Sequence, residues 1–260
     1  MLKTIAIGKA AAMLYAALRQ KKALLELPED CRPDSPFEAY AIQDRFIALL
    51  GKPVGYKIAF TNPAIQRKLK IDEPASGRLI ADRVFASPAT LAVGSLFRVG
   101  IETEFAFRMA KDLPATGAPY AREQVIDAID VLVPAIEVVD TRFADWATCG
   151  ASQAIADNAL GSHWVYGAPY VEWQGLDLVR AEAVTSVNGQ AVGQGVGANV
   201  MGDPLTALTW LANDLPSRRM GLAAGDYVTT GACSDIVMAR AGDRVVADFG
   251  SIGRVELVLE

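Results

Sequence analysis

Two glutamates, Glu102 and Glu104, stand two residues apart in the run VGIETEFAF, which is otherwise apolar but for Thr103. In a strand, successive side chains alternate faces. Glu102, Glu104 and Ala106 then point one way, and Ile101, Thr103, Phe105 and Phe107 the other. The rise per residue sets the two carboxylates roughly 6.5–7 Å apart, so both side chains can reach one point above the sheet. A third carboxylate, Glu137, lies in VLVPAIEVVD, a run with no polar face to carry it to water. Carboxylates held among apolar neighbours must share protons, pair with cations or bind a metal. With oxygen donors alone, the metal is Mg²⁺ or Mn²⁺ and not Zn²⁺, and three carboxylates leave about three positions open on an octahedral ion. Taken alone, Glu102 and Glu104 also fit a solvated strand face. Glu137 is the residue that weighs against that reading.

Other stretches carry chemistry of their own. Lys57 sits among apolar neighbours in GYKIAF. A lysine so placed has a lowered pKa and serves as acid or base, or else it snorkels or is ion-paired. Asp157 and Asn158, in QAIADNALGSH, fit a substrate-contacting loop or a cap of a helix or turn. The single histidine, His163, lies in an extended run and reads as packed and hydrogen-bonded more than as catalytic.

The elements that must position these groups follow from the pattern. Ile7, Ala10, Ala11, Leu14, Ala17 and Leu18 share one helical face. The segment SPFEAYAIQDRFIALLG opens with Ser35 as N-cap, Pro36 at N1 and Glu38 at N3, a capping box, and ends at Gly51. A shorter helix starts at Asn62-Pro63. From about residue 85, short β-rich runs alternate with glycine and proline. Two helices interrupt them, one in AREQVIDAIDVL and one after Asp203-Pro204. Asn188-Gly189 marks a hairpin. The expected class is α+β, with residues 1–80 a helical N-terminal part and 81–260 a mixed-β catalytic part, in one compact unit without a clear linker.

Composition narrows the function. At 52% hydrophobic residues over 260 positions, a large core is within reach and the composition argues against global disorder. A net charge of −5 carries no basic footprint for nucleic acid. Three scattered cysteines argue against a disulfide framework and a zinc-thiolate site and fit a reducing cytoplasm, and one histidine excludes a His-rich zinc site. No run is long and apolar enough for a membrane span, and Lys9 interrupts what would otherwise resemble a signal peptide.

In their order, VGYKIAFTNPAIQRKLKIDEPASGRLIAD, VGIETEFAF, PAIEVVDTRFADW, IADNAL, GDPLTALTWLAND and AGDYVTTGA resemble the 2-keto-4-pentenoate hydratase family of the fumarylacetoacetate hydrolase superfamily. That family also holds 2-oxohept-4-ene-dioate hydratases and 4-oxalocrotonate decarboxylases of aromatic meta-cleavage pathways. The resemblance runs from about residue 8 onward. It implies a fumarylacetoacetate-hydrolase-like C-terminal fold and a metal held by Glu102, Glu104 and Glu137. It puts the family lysine at Lys57 and places Asp157 and Asn158 near the substrate. It further implies a homo-oligomer acting on a 2-oxo acid: water adds to a 2-hydroxy-2,4-dienoate to give a 4-hydroxy-2-oxo acid. A decarboxylase acting on a 4-oxalocrotonate-type substrate and a diverged 2-oxo-acid-binding relative are the alternatives. An anionic substrate calls for a further cation, for which Arg142 and Arg83 are candidates. Two departures stand out. Relatives commonly carry an acid where this chain has Ala75, and Asp72, Glu73 and Asp82 are the candidate substitutes. Leu160 stands where many relatives have serine.

Overall fold

The computed structural model describes residues 2–260. Helix α1 (Thr4–Gln20) buries Ala10, Ala11, Leu14 and Ala17, four of the six positions expected on its stripe. Helix α2 (Pro36–Leu50) starts at Ser35, whose Oγ accepts from Glu38 N, and stops at Gly51, where φ is 140°. The Glu38 carboxylate accepts from Asp34 N at 3.1 Å and from Leu2 N, so it ties the start of the chain to this helix. Strand β1 (Pro53–Ala59) follows, then α3 (Pro63–Leu69), whose Asn62 cap accepts from Ala64 N at 2.8 Å, and β2 (Ala75–Ile80). The first eighty residues are therefore not only helical.

Beyond them come β3 (Val84–Ala86), β4 (Ala89–Leu91), β5 (Gly100–Met109), α4 (Arg122–Ile126) and β6 (Ile129–Val139). Next are α5 (Ala151–Ala156), β7 (Gly161–Tyr166), β8 (Glu182–Val187), β9 (Gln190–Val196) and α6 (Pro204–Asp214). The chain closes with β10 (Tyr227–Ala232), β11 (Val237–Met238), β12 (Arg244–Asp248) and β13 (Arg254–Leu259). The helix expected across AREQVIDAIDVL is cut to α4. From Ile129 the β-branched residues that follow pair with β5 instead, so tertiary pairing overrides the helical period.

Two sheets result. One has the order β2-β1-β10-β5-β6-β7-β3 with β11 alongside β5; the other is β4-β13-β12-β8-β9. Ile101, Phe105 and Phe107 face the second sheet, in one core with Val245, Ala247, Val255 and Leu257. Thr103 Oγ1 meets Thr185 Oγ1 between the sheets at 2.6 Å. A separate core joins α1, α2 and α5 around Phe46, Phe143 and Ile155.

The first sheet curls strongly. Trp164 on β7 and Tyr227 on β10 are three strands apart in sheet order, about 14 Å in a flat sheet. Their ring centroids are 5.2 Å apart, and Tyr166 is 5.1 Å from Tyr227. These aromatics pack with Leu79, Ala106, Val131, Val133 and Ala135 inside the curl. The concave face belongs to the parity that carries Glu102, Glu104 and Ala106.

Candidate metal centre

Register builds the site. Glu102 lies opposite Glu137 and Glu104 opposite Ala135 in the antiparallel β5–β6 pair. One carboxylate oxygen from each of Glu102, Glu104 and Glu137 lies within 4.8 Å of the other two. Among the described residues, no other trio of His, Cys, Asp or Glu converges in this way. Glu104 and Glu137 are buried, while Glu102 keeps some exposure.

Lys57 enters from β1, which is parallel to β10 with Lys57 opposite Thr229. Its Nζ is 3.1 Å from Glu137 Oε1 and donates to Ala159 O at 2.9 Å. Glu104 Oε2 accepts from Thr229 Oγ1 and from Gly231 N at 3.2 Å. Its Oε1 has no donor, and beyond the Lys57 ion pair at Oε1 the Glu137 carboxylate has no hydrogen-bond partner. Buried acceptors are rarely left so.

Electrostatics sharpen the point. Ionised together, three carboxylates and one ammonium would leave −2 at the end of the curl. At an effective dielectric of about 20, each carboxylate pair at such separations repels by about 3 kcal/mol. Burial raises Glu104 well above the carboxylate range, and the charges of Glu137 and Glu102 raise it further. Burial likewise lifts Glu137 to about 7, against the pull of Lys57. Glu102 is also raised by burial. A divalent cation would cancel the −2 and coordinate the undonated oxygens, so the donor set fits a hard divalent metal. The lowered pKa expected at Lys57 is not what the residues produce. Burial lowers it, but Glu137, Glu102 and Glu104 outweigh burial and the ammonium is raised.

The remaining candidates separate. Asp157 and Arg142 are both fully buried and paired with each other through Arg142 Nε and Asp157 Oδ1. Asp157 also accepts from Thr141 Oγ1 (2.9 Å) and Arg142 N (2.8 Å). Burial pushes the Asp157 carboxyl up to about 6, against Arg142 and these donors. Arg142 is thus spent on Asp157. Arg83 acts with Arg142 on His163, whose burial lowers its pKa to about 4. Asn158 pairs with the backbone of Arg78, accepting from Arg78 N at 2.7 Å and donating to Arg78 O at 3.0 Å. Asp72, Glu73 and Asp82 are exposed, and the carboxylates acting on Lys57 are the three glutamates. Ala75 shares the concave face with Lys57 through its pairing with Ala59, and it packs in an apolar cluster with Phe60, Leu69 and Phe143.

Three participants carry no signal of their own in the sequence: Thr229, the Ala159 carbonyl, and the left-handed turn at Asn158–Leu160. The φ values there are 56°, 49° and 65° for Asn158, Ala159 and Leu160. For L-residues this conformation costs about 1–2 kcal/mol each. Gly77 did leave a trace, since a glycine inside a strand pattern marks a close backbone approach. A Cβ there would lie 2.5 Å from Asn158 O and 3.0 Å from Lys57 Cδ. A surface groove of about 650 Å³ lies elsewhere, by Arg180, Ser186, Asp248 and Ile252. None of the clustered residues lines it, and the chemistry singles out the concave end of the curl instead.

Known proteins resemble the chain along most of its length. Residues 59–259 match the fumarylacetoacetate (FAA) hydrolase C-terminal family. A 2-keto-4-pentenoate hydratase of Paraburkholderia xenovorans (strain LB400) is 34% identical over 97% of this chain and 94% of its own length. A 2-hydroxyhexa-2,4-dienoate hydratase of Comamonas testosteroni is 32% identical over 89% of both. A solved 4-oxalocrotonate decarboxylase of Pseudomonas putida G7, complexed with magnesium and adipate, superposes with a TM-score of 0.93 at 25% identity, covering 100% of this chain and 99% of that one. The chain belongs to the fumarylacetoacetate hydrolase superfamily and, within it, to the 2-keto-4-pentenoate hydratase family.

Proposed function

We propose that this protein is a divalent-metal-dependent hydro-lyase that adds water to a 2-hydroxy-2,4-dienoate and releases a 4-hydroxy-2-oxo acid. The observation that carries the reading is the meeting of Glu102, Glu104 and Glu137 with Lys57 at one buried point. The named hydratases that align along the chain supply the reaction class.

Glu102, Glu104 and Glu137 would hold Mg²⁺ or Mn²⁺, which as a Lewis acid would polarise the 2-oxygen and carboxylate of the substrate. The rest falls to the chain. In the overall balance, the 2-hydroxyl loses its proton and C5 gains one, which gives the 2-oxo-3-enoate. Water oxygen then bonds C4 and its proton goes to C3. Lys57 is the buried ammonium available to move a proton in the first step, and Glu137 and the Ala159 carbonyl fix where that ammonium stands. Burial of Lys57 and Glu104 keeps bulk water from these charges. The alternative is decarboxylation of a 2-oxo-3-enedioate, favoured by the full-length likeness to the decarboxylase.

Dienoate absorbance separates the readings. Hydration predicts loss of the 2-hydroxypenta-2,4-dienoate band with Mg²⁺ or Mn²⁺, abolished by chelation, with no CO₂. Release of CO₂ from a 2-oxo-3-enedioate supports the decarboxylase. No metal-dependent turnover of either substrate rejects both. The same reading includes a homo-oligomer of a reducing cytoplasm; the three buried free cysteines support the compartment. Sedimentation at the monomer mass of 27.7 kDa would refute the oligomer.

A further inference from the structure

Strand β2 is an edge of the curled sheet, so its outer backbone groups lack a strand partner. At Arg78 the gap is filled by a side chain. The Asn158 amide takes both the N–H and the C=O of that residue, as a neighbouring peptide would. The Asn158 side chain therefore bridges β2 and the segment just before β7, across the opening of the curl.

This bridge opens the left-handed turn. Leu160 N donates to Asp157 O at 3.1 Å, and Gly161 N donates to Asn158 O. Neither Ala159 nor Leu160 favours positive φ, so the turn needs outside support. Glycines flank Asn158 on both sides. A Cβ at Gly77 would strike Asn158 O and Oδ1, and one at Gly161 would lie 3.1 Å from Asn158 Nδ2. The turn directs the Ala159 carbonyl at Lys57 Nζ.

We infer that Asn158 is a positioning residue: its amide, clamped on the β2 edge, holds the Asn158–Leu160 turn so that the Ala159 carbonyl fixes the Lys57 ammonium beside Glu137. This rests on the role given to Lys57 in the proposed function. Asn158 then acts through Lys57 and not by touching substrate, which departs from the role suggested by its place in the sequence.

The test is Asn158→Gly, which deletes the amide while glycine accepts a φ of 56° without strain. The expected result on the metal-loaded enzyme is a kcat at least tenfold lower, with KM and the dissociation constant for Mg²⁺ each within about threefold. Asn158→Asp, which keeps an acceptor for Arg78 N and loses the donor to Arg78 O, gives the same split and serves if Asn158→Gly does not fold. A rise in KM at unchanged kcat overturns the proposal by making Asn158 a substrate contact. A lower melting temperature with native kcat and KM overturns it by making the clamp structural only. Lys57→Met is measured alongside. If it is inactive while Asn158→Gly is native, this proposal alone fails. If it keeps native turnover, the reading of Lys57 fails and the positioning role falls with it.

Discussion

Lys57 Nζ lies 3.1 Å from Glu137 Oε1, although β1 and β6 are three strands apart in sheet order. A flat sheet would hold their backbones about 14 Å apart. The curl that brings Trp164 onto Tyr227 thus also brings the cation to the acids. The β5–β6 register does the rest by setting Glu102 opposite Glu137. The site is therefore a property of the whole sheet, and each change to its charges has two effects: one on the metal and one on the metal-free fold.

Glu104→Gln separates those effects. The amide oxygen can still accept from Thr229 and Gly231, but one of three crowded negative charges is gone. Metal affinity should fall about 100-fold or more, and turnover with it, as read by Mg²⁺ calorimetry and the dienoate assay. Without metal the variant should melt higher than the parent at neutral pH, because the parent must take up a proton on Glu104, or crowd its charge, in order to fold. Unchanged metal occupancy and turnover would remove Glu104 from the ligand set.

Metal itself should stabilise the native parent. A cation that binds only the folded cluster adds RT ln(1 + [M]/Kd), about 2.7 kcal/mol at a hundred times Kd. Thermal unfolding with stepwise Mg²⁺ should therefore show a rising midpoint that chelator reverses. In Glu104→Gln the same titration should be displaced to higher concentration. A midpoint indifferent to Mg²⁺ and to Mn²⁺ would contradict a divalent cation at this cluster.

What could be read from the sequence divides along physical lines. The parity of VGIETEFAF, the Ser35 and Asn62 caps and the hairpin at Asn188-Gly189 are local, and local chemistry fixes them. The meeting of residues 57, 102, 104 and 137 depends on sheet order and curl, which no local pattern encodes. Residue type and strand parity bring Glu102, Glu104 and Glu137 together as candidates, and the family resemblance adds Lys57. The exposure of Asp72, Glu73 and Asp82 was out of reach for the same reason: being near Ala75 in sequence did not settle which way a loop side chain turns. Arg142 looked available for a substrate anion because its partner Asp157, fifteen residues on, is joined to it only by the return of the chain through α5.

Lys57→Met should keep the aliphatic bulk and remove the ammonium. Turnover should fall by about 10²–10⁴, the usual share of a positioned acid or base. Divalent metal should bind as well or better, since a positive neighbour is gone. The metal-free fold should lose stability, because Glu137 then stands buried without its cation. Calorimetry and melting curves with and without Mg²⁺ check all three signs.

His163 offers a pH test away from the metal. It is half-buried, its Nδ1 lies 2.9 Å from Ser162 Oγ, and burial with Arg83 and Arg142 nearby lowers its pKa from 6.5 to about 4. Between those values the unfolded chain binds a proton that the folded chain refuses. Stability from this group is full above pH 6.5, falls as pH drops toward about 4, and levels off below. By pH 5 the loss should be about 1–2 kcal/mol. Urea unfolding of the parent and of His163→Gln at pH 7 and pH 5 isolates it, because the titrating carboxylates are common to both. Equal pH dependence in the two proteins would show that His163 titrates normally.

Arg142 and Asp157 provide the last test, of a buried pair whose partners matter more than its charge. Each is fully enclosed, and removing either leaves the other unpaired, so Arg142→Met should cost about 3–5 kcal/mol by urea unfolding. The pair is itself imperfect: Arg142 Nη1 has no hydrogen-bond partner, and the Arg142 guanidinium lies 5.3 Å from the Phe46 ring centre in apolar surroundings. Replacing both residues with apolar ones should therefore recover much of the loss, and Arg142→Met with Asp157→Leu should be more stable than Arg142→Met alone. The double variant also loses the bond from Arg142 Nη2 to Asp157 O at the foot of the left-handed turn. Its stability should return further than its kcat. Recovery of both together would place the control of Lys57 in the Asn158 clamp alone, with the buried pair serving only the fold.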